Sequence, residues 1–172
     1  MTISDLSFKE LDVYYERYIN KLDNQLPLLK AFEIGLLETT KFFQEVPEAK
    51  LLHRYEIGKW TIKEVFQHLI DTERIFMYRC FRIARRDKTS LAGFNQQTYT
   101  APSGSNEKSM DKLLLEFQCG RRNSITILES LSDNDLAFIG NANESVMSAR
   151  AAAFVIPGHD IWHMEIIKDL YL

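Results

Sequence analysis

The sequence predicts an all-α fold, a bundle of four long helices, and three observations support this prediction. Apolar residues recur at intervals of three and four over long stretches of the chain. Strand-like alternation is almost absent, and glycine and proline lie mainly where the periodic patterns stop. Four periodic segments of similar length are typical of an antiparallel bundle. Because 172 residues is the size of one domain, we expect residues 1–172 to form a single domain.

The helix boundaries follow from capping residues and prolines. Thr61 and Glu64 form a capping box, which marks the start of the second helix. We expect the four long helices at about residues 24–44, 61–86, 108–131 and 146–170. A short helical turn is expected at 132–136, and residues 13–22 are interpreted as a short helix or an extended arm. Pro157 removes one backbone hydrogen bond inside the fourth helix, so we expect a bend there.

Charge and hydropathy exclude two classes of partner. The net charge is -3 and the pI is about 5.8, and the basic residues form no block that would neutralise phosphates, so no nucleic-acid partner is expected. The longest apolar run, A-A-A-F-V-I, is too short to cross a bilayer, and the N-terminus lacks a signal-peptide pattern. We therefore expect a cytoplasmic protein without a membrane partner. Cys80 and Cys119 lack metal-type spacing and are predicted to be reduced, buried thiols.

Three of the four histidines are predicted to face the core. His159 and His163 lie one turn apart on the apolar face of the fourth helix, and His68 lies on the apolar face of the second. Any one of them alone is interpreted as a hydrogen-bonded core residue. Together they favour a metal site, because one divalent cation satisfies a nitrogen on each ring at once. His53 lies in a loop and is expected to be solvated.

The motif H-D-I-W-H also resembles the zinc-peptidase motif H-E-x-x-H, with Asp160 in the position of the general base. The extended peptidase motif needs a glycine that turns the chain back, and Ile166 stands there instead. Asp169 would then stay on the helix and point away from the ion. We rank a peptidase below the other functions.

Three imidazoles without a fourth protein ligand would leave one position on the ion for water or substrate, which is the catalytic arrangement. Such an ion is a Lewis acid that lowers the pKa of a bound water or thiol. The side chains expected to orient the imidazoles are Asp71, Thr72, Glu73 and Asp160. Zinc, nickel, copper and iron all suit three imidazoles, so the sequence leaves the metal open. No catalytic residue is assigned.

Several other residues fit more than one role. Surface ion pairs are favoured for the arginines, with binding of a substrate carboxylate as the alternative, at Arg74, Arg121 and Arg122. Packing in the core or at the site wall is expected for Trp60 and Trp162. In the long loop after the second helix, either cover of the site or simple anchoring is expected for Phe94, Asn95 and Tyr99.

Three blocks of the sequence resemble the DinB/YfiT-like metalloprotein family over nearly all of residues 23–172. They are Y-E-I-G-K-W-T-I-K-E-V-F-Q-H-L-I-D-T-E-R, R-I-A-R-R-D-K-T-S-L-A-G-F-N-Q-Q-T-Y and G-H-D-I-W-H-M-E-I-I-K. The resemblance implies a four-helix bundle with an unusual connection order and a divalent metal bound by His68, His159 and His163. It also implies zinc, nickel or iron as the metal, and a homodimer. Pro157 departs from the family pattern, in which a small residue other than proline is usual.

The resemblance further implies chemistry on a low-molecular-weight thiol such as bacillithiol or mycothiol. The leading hypothesis is a thiol-dependent S-transferase whose partners are a small-molecule thiol and an electrophile. The first alternative is a non-catalytic bundle that acts as a binding or structural module. The second is a metal-dependent hydrolase, which would use the same three histidines.

Overall fold

A computed structural model describes the backbone of all 172 residues and every side chain except that of Phe8. The α-helices are α1 (Glu16–Ile19), α2 (Leu28–Glu45), α3 (Ile62–Ala84), α4 (Gln96–Thr100), α5 (Met110–Glu129), α6 (Asp133–Leu136) and α7 (Ala149–Leu170). Two strands, β1 (Ile139–Ala142) and β2 (Ser145–Ser148), form an antiparallel hairpin. Short 3-10 helices span Ile3–Asp5, Phe8–Glu10, Val13–Tyr15, Glu48–Lys50 and Ala101–Ser103.

The four long helices α2, α3, α5 and α7 form the predicted bundle, in which α2 and α3 each pack against both α5 and α7. Thr61 caps α3 through the predicted capping box with Glu64. The Tyr171 hydroxyl at the end of α7 donates to the Trp60 carbonyl just before α3, so these two helices are antiparallel.

The neighbouring helices α3 and α5 are parallel, which differs from the antiparallel bundle expected. Thr61 at the start of α3 donates to Asn106 just before α5, and Glu73 farther along α3 bonds Arg121 farther along α5. A parallel neighbour requires the chain to return along the bundle, and residues 85–109 provide this crossover. The long connection seen in the sequence is therefore required by topology.

The β-hairpin replaces the start predicted for the fourth helix, which begins at Ala149 after the capping residue Ser148. Asn143 and Glu144 both adopt positive φ and make the tight turn between the strands. This turn lacks the glycine that usually marks such hairpins, so the sequence pattern gave little sign of it. Leu91 forms backbone hydrogen bonds with Asn141 and Asn143, which fixes the crossover against the hairpin.

Other local expectations have mixed outcomes. The first long helix begins at Leu28, after Pro27, and not near residue 24. Helix α6 forms with Ser132 as its cap, and residues 16–19 form the short helix α1.

The two cysteines differ in burial. Cys80 is buried as predicted, and burial raises the pKa of its thiol to about 12. Cys119 is exposed, so the prediction that it is buried is wrong. No described helix is long and apolar enough to span a membrane.

Gly158 lets the N-terminal segment pack directly on α7. Helix α7 continues through Pro157, and a Cβ built on Gly158 would lie 2.2 Å from the carbonyl oxygen of Tyr18. That contact is with backbone, so a side chain there would push α1 away. Since Gly158 precedes His159, this close approach also brings Tyr18 over the His159 ring, with the centroids 4.9 Å apart.

Gly158→Ala is therefore expected to destabilise the protein by about 1–3 kcal/mol, because the added methyl group overpacks a backbone contact. The matched control is Gly120→Ala in α5, where an added Cβ meets no atom within 4 Å. The control should raise stability by about 0.5–1 kcal/mol through helix propensity. Chemical denaturation measures both, and equal effects of the two substitutions would contradict the close approach.

Candidate metal centre

The structure brings His68, His159 and His163 together inside the bundle, as predicted. One ring nitrogen from each histidine lies within 4.8 Å of the corresponding nitrogen on the other two. His68 lies in the second turn of α3, and the other two lie one turn apart on α7, which packs against it. The cluster therefore joins two elements of the bundle. His53 is exposed and outside it, as expected, and Asp169 is also exposed.

Hydrogen bonds among the three histidines do not satisfy all three of the ring nitrogens that face one another. The Nε2 atom of His159 lies 3.1 Å from Nε2 of His68 and 3.1 Å from Nε2 of His163. A single ring nitrogen carries either one hydrogen or one lone pair, so it can make only one of these bonds well. Three lone pairs directed at one shared cation remove the conflict.

Burial keeps the three imidazoles neutral at ordinary pH, which is the form that binds metals. Burial, followed by the charge of His163, lowers the pKa of His68 to about 3. Burial also lowers the pKa of His163 to about 4. The pKa of His159 falls well below its usual value, through burial first and then through its two histidine neighbours.

Aromatic rings and one hydroxyl surround the cluster. Trp60 packs on His68 with centroids 4.8 Å apart, and Tyr18 meets His159 edge to face. The Thr72 hydroxyl lies 3.4 Å from Nδ1 of His68, so one of the four candidate orienting residues reaches an imidazole. Trp60 was expected near the site, whereas Tyr18 was missed because its segment shows no pattern linking it to the histidines.

The three carboxylates expected to orient the imidazoles are engaged elsewhere. Asp71 accepts from Gln67 and Arg74. Glu73 and Asp160 both bind Arg121. Among the described side chains, none of the three carboxylates bonds an imidazole.

The prediction that Arg121 forms a surface ion pair is wrong, because this residue is fully buried. Its Nε donates to Glu73 at 2.9 Å and its Nη2 donates to Asp160 at 2.6 Å. Burial disfavours the guanidinium charge, but the two carboxylates outweigh that effect and raise the pKa of Arg121. Burial also raises the pKa of Asp160 to about 6, against the opposing charge of Arg121. Arg74 forms the expected surface ion pairs, with Asp71 and Glu116. Arg122 is exposed as expected, but it forms no ion pair with the described side chains.

A cavity of about 510 Å³ opens beside His159. Its lining includes Thr72, Val155, His159 and the aromatic residues Tyr14, Tyr15, Tyr18, Phe76 and Phe94. In the crossover, Phe94 and Asn95 line this cavity, which agrees with the interpretation that they cover the site. Tyr99 packs on Phe94 and does not line the cavity, which agrees with the interpretation that it anchors the loop. The arrangement is suited to a small molecule with one end at His159.

The four-helix bundle and the inward histidine cluster define a helical candidate metalloprotein. A family model of the DinB superfamily matches residues 31–167, and the chain belongs to that superfamily. The fold is similar to a solved structure described as YfiT from Bacillus subtilis, a probable metal-dependent hydrolase with an unusual four-helix bundle topology. The TM-score is 0.74 at 14% sequence identity, over 96% of this chain and 90% of that chain. No curated protein matches the chain.

The histidine cluster predicts a pH dependence of stability in the metal-free protein. Each folded-state pKa lies below the ordinary value of 6.5, so below that pH the unfolded chain binds more protons than the folded one. The free energy of unfolding should fall by up to about 1.4 kcal/mol per pH unit for each histidine between pH about 6.5 and the lowered pKa. His68→Gln should remove one such contribution.

Urea denaturation across this pH range measures the slope. The control is His53→Gln, which removes an exposed histidine and should leave the slope of the wild type unchanged. A slope in His68→Gln as steep as in the wild type would contradict the burial of a neutral His68.

The Arg121 network predicts a large loss of stability from a single substitution. Glu73→Met should cost about 3–5 kcal/mol, because it leaves part of a buried guanidinium charge without a partner. Thermal or chemical denaturation measures this cost.

The matched control is Glu116→Met, which breaks partly exposed pairs with Arg74 and Lys108 and should cost less than about 1 kcal/mol. Equal costs for the two substitutions would show that Arg121 is not buried as described.

Proposed function

We propose that this protein is a metal-dependent enzyme that binds one divalent ion through His68, His159 and His163. The observation that carries the proposal is the shared position of the His159 Nε2 atom, 3.1 Å from Nε2 of each partner. Zinc bonds of about 2.0–2.1 Å in tetrahedral geometry separate ligand nitrogens by about 3.3 Å. The two spacings from His159 are close to that value, and the ligand nitrogens of His68 and His163 lie within 4.8 Å of each other. Because burial lowers their pKa values, all three rings are neutral and can bind a metal ion.

Within this class, we propose a thiol-dependent S-transferase as the reaction. A divalent ion with one open position supplies a Lewis acid that favours the thiolate form of a bound thiol. The co-substrate would be a low-molecular-weight thiol and the second substrate a small electrophile. Bacillithiol is one such thiol, and zinc, nickel and iron are the candidate metals.

The carboxylates of the chain favour a thiol over water as the nucleophile. A metal ion acidifies both nucleophiles, but an unperturbed thiol has a pKa of about 8.5 and bulk water one of about 15.7, so the thiol needs less help from a general base. Glu73 and Asp160 are held by Arg121. Among the described residues that line the cavity, Asp12 is the one carboxylate, and it already accepts from Ser145 and from the Tyr14 amide.

The proposed role of the remaining cavity residues is to bind the substrate and to orient the His68 ring. The Tyr18 hydroxyl lies 3.3 Å from that of Tyr14, and burial raises the pKa of Tyr18, so the phenol stays protonated and can donate to a substrate. Phe76 and Phe94 give the wall apolar surface that limits water around the reacting groups. Thr72 holds the His68 ring through Nδ1.

A metal-dependent hydrolase is the second candidate. The support for it is the printed description of the structurally similar protein from Bacillus subtilis, together with the same three histidines. Asp12 would be the candidate base in that reaction. A non-catalytic module is the third candidate, and it predicts that removing the metal lowers the melting temperature strongly because binding energy is then folding energy. The homodimer and the cytoplasmic location stay predictions.

Metal content tests the site itself. Untagged protein purified without chelators should contain about one divalent ion per chain, because the three nitrogens converge on one position. His68→Ala and His163→Ala should each lose it, and His53→Ala should keep it. Elemental analysis gives the stoichiometry. A wild type that cannot be loaded with zinc or nickel would contradict the proposal.

Turnover tests the reaction. The metal-loaded protein should accelerate S-transfer from bacillithiol, cysteine or another small thiol to the electrophile monobromobimane. The acceleration should be lost in His68→Ala and kept in His53→Ala. Full metal occupancy without turnover of any thiol would overturn the transferase, and hydrolysis of ester or amide substrates by the same sample would establish the second candidate in its place.

A further inference from the structure

Arg79 is a buried cation that lines the cavity, and none of the described carboxylates neutralises it. Arg79 is 2% exposed, compared with 0% for Arg121. Arg121 has two carboxylate partners, whereas Arg79 forms no ion pair with any described side chain. A buried charge without a counter-ion is costly. Arg79 therefore differs from Arg121 in lacking an anionic partner among the described residues, and the side-chain contact that it makes with Tyr15 is to a neutral hydroxyl.

The hydrogen bonding of Arg79 is also incomplete. Its Nη2 donates to the Ala92 carbonyl oxygen at 3.1 Å, and its Nε is buried without a hydrogen-bond partner among the described residues. The guanidinium lies over the Phe76 ring at 4.8 Å and near the Phe94 ring at 6.0 Å. These contacts hold the planar group in place and leave donors for an oxyanion.

Arg79 is aligned with the histidine cluster along α3. Eleven residues separate it from His68, which is three turns plus about 20° around the axis and about 16 Å along it. Thr72 and Phe76 lie between them on the same face, and both line the cavity with Arg79 and His159. Side chains on a helix lean toward its N-terminus, which brings the guanidinium toward the histidine end. The cavity thus has the proposed reactive centre at one end and a cation at the other.

We propose that Arg79 binds the anionic group, a carboxylate or related oxyanion, of an elongated small substrate whose reactive end faces the histidines. The inference rests on the proposed function, and it adds a substrate class to it: small molecules with an aromatic or aliphatic body and one negative end. Aromatic walls pack against the body, and the planar fork of Arg79 fits two oxygens of the anion. Arg74, Arg121 and Arg122 do not have this role, because the first and third are exposed and the second is neutralised.

Binding of benzoate and of its neutral isostere benzamide to the metal-free protein tests the inference. Calorimetry or ligand-detected NMR at constant ionic strength should show benzoate binding at least about tenfold more tightly than benzamide, because a charge-assisted hydrogen bond contributes that much. Arg79→Met should abolish the preference. Arg122→Met, which removes an exposed arginine, should keep it.

A preference for benzoate that survives in Arg79→Met would overturn the inference. The wild type alone is also decisive if that variant does not fold: equal affinities for the two compounds, or no binding of benzoate, acetate or phosphate, overturn it. Zinc uptake at the histidines is measured separately on another portion of the same protein. Zinc bound at the histidines without anion binding would overturn the role of Arg79 alone, and anion binding without any metal affinity would overturn the proposed function alone.

Discussion

A buried ion network around Arg121 holds the long helices of the bundle together beside the histidine cluster. It joins Glu73 on α3 to Asp160 on α7 through a residue on α5, in the layer of the bundle that also holds the histidines. Because two carboxylates beside the site are bound to this arginine, the cluster contains only neutral imidazoles. Arg121 is packed closely enough that a Cβ on Gly35 of α2 would lie 2.6 Å from its Nη1 atom, so all four long helices meet at this point.

The cavity depends on parts of the chain outside the bundle. The N-terminal segment brings Tyr15 and Tyr18 onto one side, and it approaches α7 closely because residue 158 has no side chain. The crossover contributes Phe94 and residues 95–97 to another side, and the hairpin contributes Asn143 and Ser145. The parallel arrangement of α3 and α5 makes this crossover necessary. The topology of the bundle therefore produces the wall of the candidate site.

Much of the fold could be predicted from the sequence, because helix periodicity and capping are local signals. The histidine trio could be predicted for the same reason, since position on a helix face decides which residues point inward. The hairpin could not, because its turn lacks glycine. The buried states of Arg79 and Arg121 were missed because arginine is usually at the surface, and only long-range packing brings Glu73 and Asp160 to one of them and a cavity to the other. Tyr18 was missed for the same reason.

We propose that His68, His159 and His163 bind one metal ion beside the cavity. X-ray absorption spectroscopy of the zinc-loaded protein tests it most directly, because it reports the atoms around the ion. We expect three nitrogen ligands at about 2.0–2.1 Å with the outer scattering of imidazole, and a fourth light atom from solvent or substrate. A shell of oxygen atoms, or one with fewer than three imidazoles, would contradict it.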